Sequence, residues 1–137
     1  MKREYCAIYA QMHLIFDNDF DVFSISERVS LEPSDCRSRR DTRISPLTHE
    51  YNPGYWTLET EEKNEQDLKA VLDDLLTKIS GKVEAIKKIC EENGGIVKFD
   101  VVPAFSAKRK PALYFERDFL DIVHFLNATV EIDMSVW

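Results

Sequence analysis

A length of 137 residues, 44% of them hydrophobic, suits one domain with a single core and leaves too little for two. The formal net charge of −7 argues against nucleic acid as a general partner, because phosphate binding needs a basic footprint. No run of about 18 apolar residues exists, so no membrane span is expected.

The opening segment MKREYCAIYAQMHLIF has a charged start and an apolar stretch, as a signal peptide would. Gln11 and His13 interrupt it and no small-residue cleavage site follows, so the chain is expected to be cytoplasmic. Alternation explains the segment better. Cys6, Ile8, Ala10, Met12, Leu14 and Phe16 share one face, and Tyr5, Ala7, Tyr9, Gln11 and His13 the other, which predicts a strand over residues 4–16. The run DNDFD then turns the chain. An EF-hand would need Gly and Glu at its sixth and twelfth positions, where Val22 and Arg28 stand, so a turn with a helix cap is favoured over a calcium loop. Asp21 can cap a short helix carrying Val22, Ile25 and Val29, and Pro33 prevents its continuation.

Residues 34–54 read as an irregular loop holding Arg37, Arg39, Arg40 and Arg43. From Tyr55 to Thr60 alternation resumes, with Trp56, Leu58 and Thr60 on one face. Asn64 is the predicted cap of the next helix. Its apolar stripe runs through Leu68, Val71, Leu72, Leu75, Leu76 and Ile79, and continues through Val83, Ile86, Ile89 and Cys90. Ser80-Gly81 predicts either a bend in one helix or the meeting of two, and Asn93-Gly94-Gly95 ends it. IVKFDVVPAF is a predicted strand that lies at an edge or ends near Pro103, which lacks an N–H donor. ALYF is a predicted short strand, and Asp118 the predicted cap of a helix carrying Phe119, Ile122, Val123 and Leu126. In the closing TVEIDMSVW, Val130, Ile132, Met134 and Val136 are expected to face inward and Glu131, Asp133, Ser135 and Trp137 outward.

The expected fold is therefore α+β: a mixed, mainly antiparallel sheet of about five strands with helices packed largely on one face, in one domain over residues 1–137. Trp56, Ile25, Val29, Leu72, Leu75 and Ile79 should share one core. The three cysteines have no paired spacing, so neither a disulfide framework nor a zinc site is indicated. Cys6 and Cys90 read as core residues, and Cys36 as an exposed thiol that should react in the native protein.

The alternating first strand, FDVFSISERVSLEP, the Arg-rich segment leading to GYWTLET, the long helix LKAVLDDLLTKISGKVEAIKKICEENGG and the closing ALYFERDFLDIVHFLNATVEIDMSVW together resemble the bacterial family catalogued as domain of unknown function 4279. The resemblance covers nearly the whole chain and implies no catalytic residues. Family members tend to carry Gly at the exit of the first helix, where this chain has Ser30. The resemblance also implies an association with bacterial toxin-immunity loci, which is a context and not a mechanism.

No motif in the chain carries chemistry by itself. His13, His49 and His124 are scattered, without the helical pairing a metal site would use. Cys36 and His49 could act as nucleophile and base only if the loop brought them together. Glycine-rich nucleotide fingerprints are absent from the sequence, and no cofactor is expected. The first functional expectation is a non-catalytic binding protein, for example an immunity-type inhibitor whose partner is a basic toxin. The alternative is a small anionic-ligand-binding or sensing domain. There Arg37, Arg39, Arg40 and Arg43, flanked by Tyr51 and Tyr55, would clamp a phosphate or carboxylate.

Overall fold

The computed structural model describes residues 6–39, 52–62, 67–106, 108 and 110–136. Strand β1 (Ala7–Phe16) is flanked by β3 (Gly54–Glu59) and β4 (Gly95–Phe105), both antiparallel to it. Strand β2 (Asp35–Arg37) extends the sheet beyond β3, and β5 (Thr129–Ile132) and β6 (Ser135–Val136) both run parallel to β4 on its far side. The order along the sheet is β2-β3-β1-β4-β5, with β6 as a sixth strand beside β4. This is the mixed, mainly antiparallel α+β architecture expected.

A 3-10 turn (Val22–Ser24) leads into α1 (Ile25–Val29), and α2 (Leu68–Ile79), α3 (Val83–Asn93) and α4 (Arg117–Phe125) follow in the chain. The apolar face of β1, from Ile8 to Phe16, and the matching residues Val97, Phe99 and Val101 of β4 are buried under the helical stripes. Trp56, Ile25, Val29, Leu72, Leu75 and Ile79 lie in that one core. Phe119 of α4 meets Phe99 edge-on at 5.2 Å between ring centroids, which places α4 on the same side of the sheet. Among the described residues, helix packing on one face leaves the other face of β1, β3 and β4 without a helical cover.

The expected turn with its Asp21 cap and the meeting of two helices at Ser80-Gly81 are found, while the caps of α2 and α4 and the ALYF strand are corrected. The turn after β1 is built by side chains: Asn18 Oδ1 accepts from the Phe20 N–H and Asp21 Oδ1 from the Phe23 N–H. The long helical stretch is two helices meeting at Gly81, whose φ of +76° is a conformation that residues with a Cβ rarely adopt. Asp67 caps α2 by accepting from the Lys69 N–H; Asn64 lies outside the described residues. Glu116, not Asp118, is the residue before α4, and Asp118 sits one residue inside, accepting from the Phe119 N–H. ALYF forms no strand. Ala112 makes a single bridge to Asp67, and the chain beyond Asp67 turns at once into α2, so no ladder can grow.

Strand β4 is interior rather than at an edge, and of the two readings of Pro103 the nearby end holds, since the strand stops at Phe105. Val101 O accepts from the Asp133 N–H, and alternation directs the N side of Pro103 the same way, toward the gap between β5 and β6. The missing donor thus falls where no partner strand is paired. At the far edge, Val130 is half-buried, but Ile132 and Met134 are 38% and 59% exposed, against the inward placement expected. The core sits over β1 and β4, and β5 is an outermost strand. The side chains of Ser135, Val136 and Trp137 lie outside the described residues.

Ser30 ends α1 with φ 56° and ψ 43°, the left-handed conformation for which glycine is the usual occupant. For a residue with a Cβ this costs about 1–2 kcal/mol, whereas glycine loses an extra ~0.5–1 kcal/mol of chain entropy on folding. The first figure is the larger, so Ser30→Gly should stabilise the protein by roughly 0.5 kcal/mol or more. Urea unfolding of the two proteins checks this.

Cys36 is the other corrected residue. It lies in β2 opposite Trp56, half-buried and packed against the core rather than in an exposed loop. Burial, reinforced by Asp35 and Asp21, pushes its thiol up to about 11. Against the ordinary value of 9.0, the thiolate population near neutral pH is lower by roughly 100-fold. Native Cys36 should therefore label far more slowly than a free thiol, as Cys90 should, whose thiol burial also pushes up to about 11. Rapid native labelling of Cys36 by a thiol reagent would show that β2 is not docked as described.

Candidate functional site

The face of the sheet opposite the helices is set by strand parity. Because Met12, Leu14, Trp56, Leu58, Val97 and Phe99 point into the core, their strand neighbours must point out the other side. Antiparallel and parallel register then align these outward residues in rows across the sheet. One row runs Asp35, Thr57, His13, Lys98, Thr129. A second runs Glu59, Gln11, Asp100, Glu131, and a third Arg37, Tyr55, Ile15, Ile96.

The central row is cross-linked through His13. Its Nδ1 lies 2.7 Å from Thr57 Oγ1 and its Nε2 2.9 Å from Asp100 Oδ2. A carboxylate oxygen accepts, so Nε2 carries the hydrogen; in the neutral ring Nδ1 then accepts from the Thr57 hydroxyl. Lys98 donates to Glu131 and stands 3.5 Å from Asp100 Oδ1. The Glu131 hydrogen bond, aided by both carboxylates, raises the Lys98 ammonium above its usual range, and the same bond lowers Glu131. Gln11 Nε2 donates to Glu59 Oε1 at 2.8 Å. The Tyr9 phenol is raised above its ordinary value by burial first and then by Glu59, Asp133, Glu62 and Asp100, so this end of the face is electronegative.

These rows floor an open groove of about 330 Å³. Its polar side is formed by Gln11, His13, Thr57, Lys98 and Asp100, with Asp35 at the β2 side; Ile15, Pro53 and Tyr55 form an apolar wall. Within it, Asp100 Oδ1 is buried and lies against the Lys98 ammonium. The order carboxylate, imidazole, hydroxyl is that of a hydrolytic relay. Here Thr57 is only 4% exposed, and the three side chains link β3, β1 and β4 to one another.

Of the residues singled out in the sequence, Arg37 and Tyr55 are brought to this face as neighbours in register. Asp35 joins them: the Tyr55 hydroxyl donates to its Oδ2 at 3.0 Å, and Arg37 Nε lies 3.7 Å from the same oxygen. Arg39 goes elsewhere and pairs with Asp19 of the turn after β1, at 3.8 Å. Arg40, Arg43, Tyr51 and His49 lie outside the described residues. His124 is on α4, exposed. Among the described residues no group of three or more His, Cys, Asp or Glu side chains comes together as metal ligands would, and no helix is long and apolar enough to cross a membrane.

Thr57, Lys98 and Asp100 were not singled out from the sequence, and His13 was weighed there only as a metal ligand. A usable signal existed: each falls on the outward parity of its strand, and His13 stands on a face that is otherwise weakly polar. The sequence contained no indication that they meet, since His13 lies 44 positions from Thr57 and 87 from Asp100.

A family model described as Domain of unknown function (DUF4279) matches residues 7–137 of the chain. No curated protein and no solved structure matches it.

Proposed function

The chain belongs to this family of unknown function, and we propose that it is a non-catalytic binding protein that docks a basic partner on its open sheet face, as an immunity-type inhibitor of a toxin would. The observation carrying this reading is the face itself: outward residues from five adjoining strands, with a groove among them and, among the described residues, no helix over them. Among the described residues its carboxylates Asp35, Glu59, Asp100 and Glu131 outnumber its cations Arg37 and Lys98, which are themselves paired with carboxylates. Complementary charge on a partner would steer encounter and fix orientation. The net charge of −7 acts in the same direction at longer range.

The second reading, an anionic-ligand domain, is favoured by one observation, the placement of Arg37 beside Tyr55 on that same face. Against it, Arg37 and Arg39 each lie near a carboxylate of the chain. Calorimetry with the protein encoded immediately upstream separates the two. Saturable binding that is lost in Glu59→Lys/Glu131→Lys, and unchanged or tighter when Arg37, Arg39, Arg40 and Arg43 are replaced by Ala, is the expected result. Binding of phosphate or a dicarboxylate that vanishes in the arginine variant would favour the second reading. Turnover of a substrate, abolished by His13→Gln, would overturn both.

A further inference from the structure

We propose that the groove, with the Ile15–Ile96 pair at its wall, receives one large apolar side chain of the basic partner; this rests on the docking reading above. Ile15 stands opposite Tyr55 of β3 on one side and Ile96 of β4 on the other, all on the open face. Ile96 is 59% exposed. A lone exposed isoleucine means little, but this one prolongs the apolar wall of Ile15, Pro53 and Tyr55 into a strip across three strands. The groove volume of about 330 Å³ is at the lower end for a ligand cavity and suits a single side chain rather than a helix or a strand.

The polar groups of the floor are engaged within the chain. His13 meets Thr57 and Asp100 through its two ring nitrogens, and the Lys98 ammonium is shared by Asp100 and Glu131. Gln11 donates to Glu59, and the Tyr55 hydroxyl to Asp35. A polar occupant would have to displace one of these bonds to make its own, an exchange with little net gain. An apolar occupant displaces only water, and its gain grows with the apolar area it covers. Strand geometry then places the charges around it. The row of Glu59, Gln11 and Glu131 lies four residues along β1 from Ile15. At ~3.3 Å per residue that is about 13 Å. Cations of the partner would meet Glu59 and Glu131 at that distance from its apolar side chain, an anchor in a pocket with a charged rim.

The test is an amide chemical-shift titration of the native protein with Nα-acetyl-leucine amide, and with its polar near-isostere Nα-acetyl-asparagine amide. Saturable shifts at His13, Ile15, Tyr55 and Ile96 with the leucine compound, absent with the asparagine compound, are expected. Ile15→Thr/Ile96→Thr keeps a β-branched residue in both strands and should weaken that binding by roughly tenfold or more. Should this double variant fail to fold, the contrast between the two compounds on the native protein decides alone. Equal shifts with both compounds, no saturable shift, or undiminished binding by the folded double variant would overturn the proposal. A silent leucine titration, beside binding of the protein encoded immediately upstream that Glu59→Lys/Glu131→Lys abolishes, sinks this assignment alone. Binding of that protein that ignores Glu59→Lys/Glu131→Lys sinks the docking reading itself.

Discussion

Truncating Trp56 to alanine should remove roughly 3–5 kcal/mol of stability. Trp56 is 0% exposed and heads the fully buried side chains in size. It stands between Leu14 of β1 and Cys36 of β2 in register, so its loss leaves a void that the strands on either side are too tightly hydrogen-bonded to close. Its indole N–H donates to Ser26 Oγ at 3.0 Å, which ties α1 to the sheet. A domain of this size is stable by about 5–15 kcal/mol in total, so the variant should sit close to its unfolding threshold at ambient temperature. Trp56→Phe should cost less, because it keeps most of the buried area and leaves only the half-exposed Ser26 hydroxyl to water. Urea unfolding followed by far-UV circular dichroism measures both. A change below ~0.5 kcal/mol for the alanine variant would mean that β3 does not lie where it is described.

Gly95→Ala is expected to cost about 1–3 kcal/mol or more, a large penalty for a single added methyl group. A Cβ at that position would lie 2.4, 2.7 and 3.0 Å from the Cε1, Cζ and Cδ1 atoms of Phe16. The ring cannot simply swing aside: Phe16 is 0% exposed and packs on Phe20 at 4.6 Å between centroids. Overpacking must therefore move the ring, the turn after β1 or the start of β4. Gly81→Ala makes a useful comparison. A Cβ there meets nothing within 4 Å, and its cost comes only from the φ of +76°. Pairing Gly95→Ala with Phe16→Leu should recover part of the loss, while pairing Gly81→Ala with Phe16→Leu should be additive. Thermal melts of the single and double variants separate the two mechanisms. An additive result for Gly95 and Phe16 would show that the ring does not cover the glycine.

The apolar stripes were legible because their spacing is local. Leu68, Val71, Leu72, Leu75 and Ile79 follow the turn of a helix whatever lies beside it, and the β1 alternation identifies a buried face without naming its neighbour. Strand β2 was not legible. Three residues, Asp35–Arg37, bear too short a pattern, and they are a strand only because Cys36 and Trp56 pair across the ladder. Pro103 left two readings of β4, an edge position or a nearby end, and the first failed for a related reason. Pro103 removes one donor, and whether that breaks a sheet depends on which side the missing N–H faces, which only the pairing of β5 and β6 decides.

The candidate site divides along the same line. From the sequence alone came the α+β class, the core and the surplus of carboxylates, because composition and short periodicities are properties of the chain itself. Tertiary structure alone decided that His13 reaches Thr57 and Asp100, that Arg37 and Arg39 diverge to Asp35 and Asp19, and that Asp100 Oδ1 is buried beside the Lys98 ammonium. Those outcomes depend on strand order and register. A shift of one residue in register would turn every one of these side chains to the opposite face of the sheet.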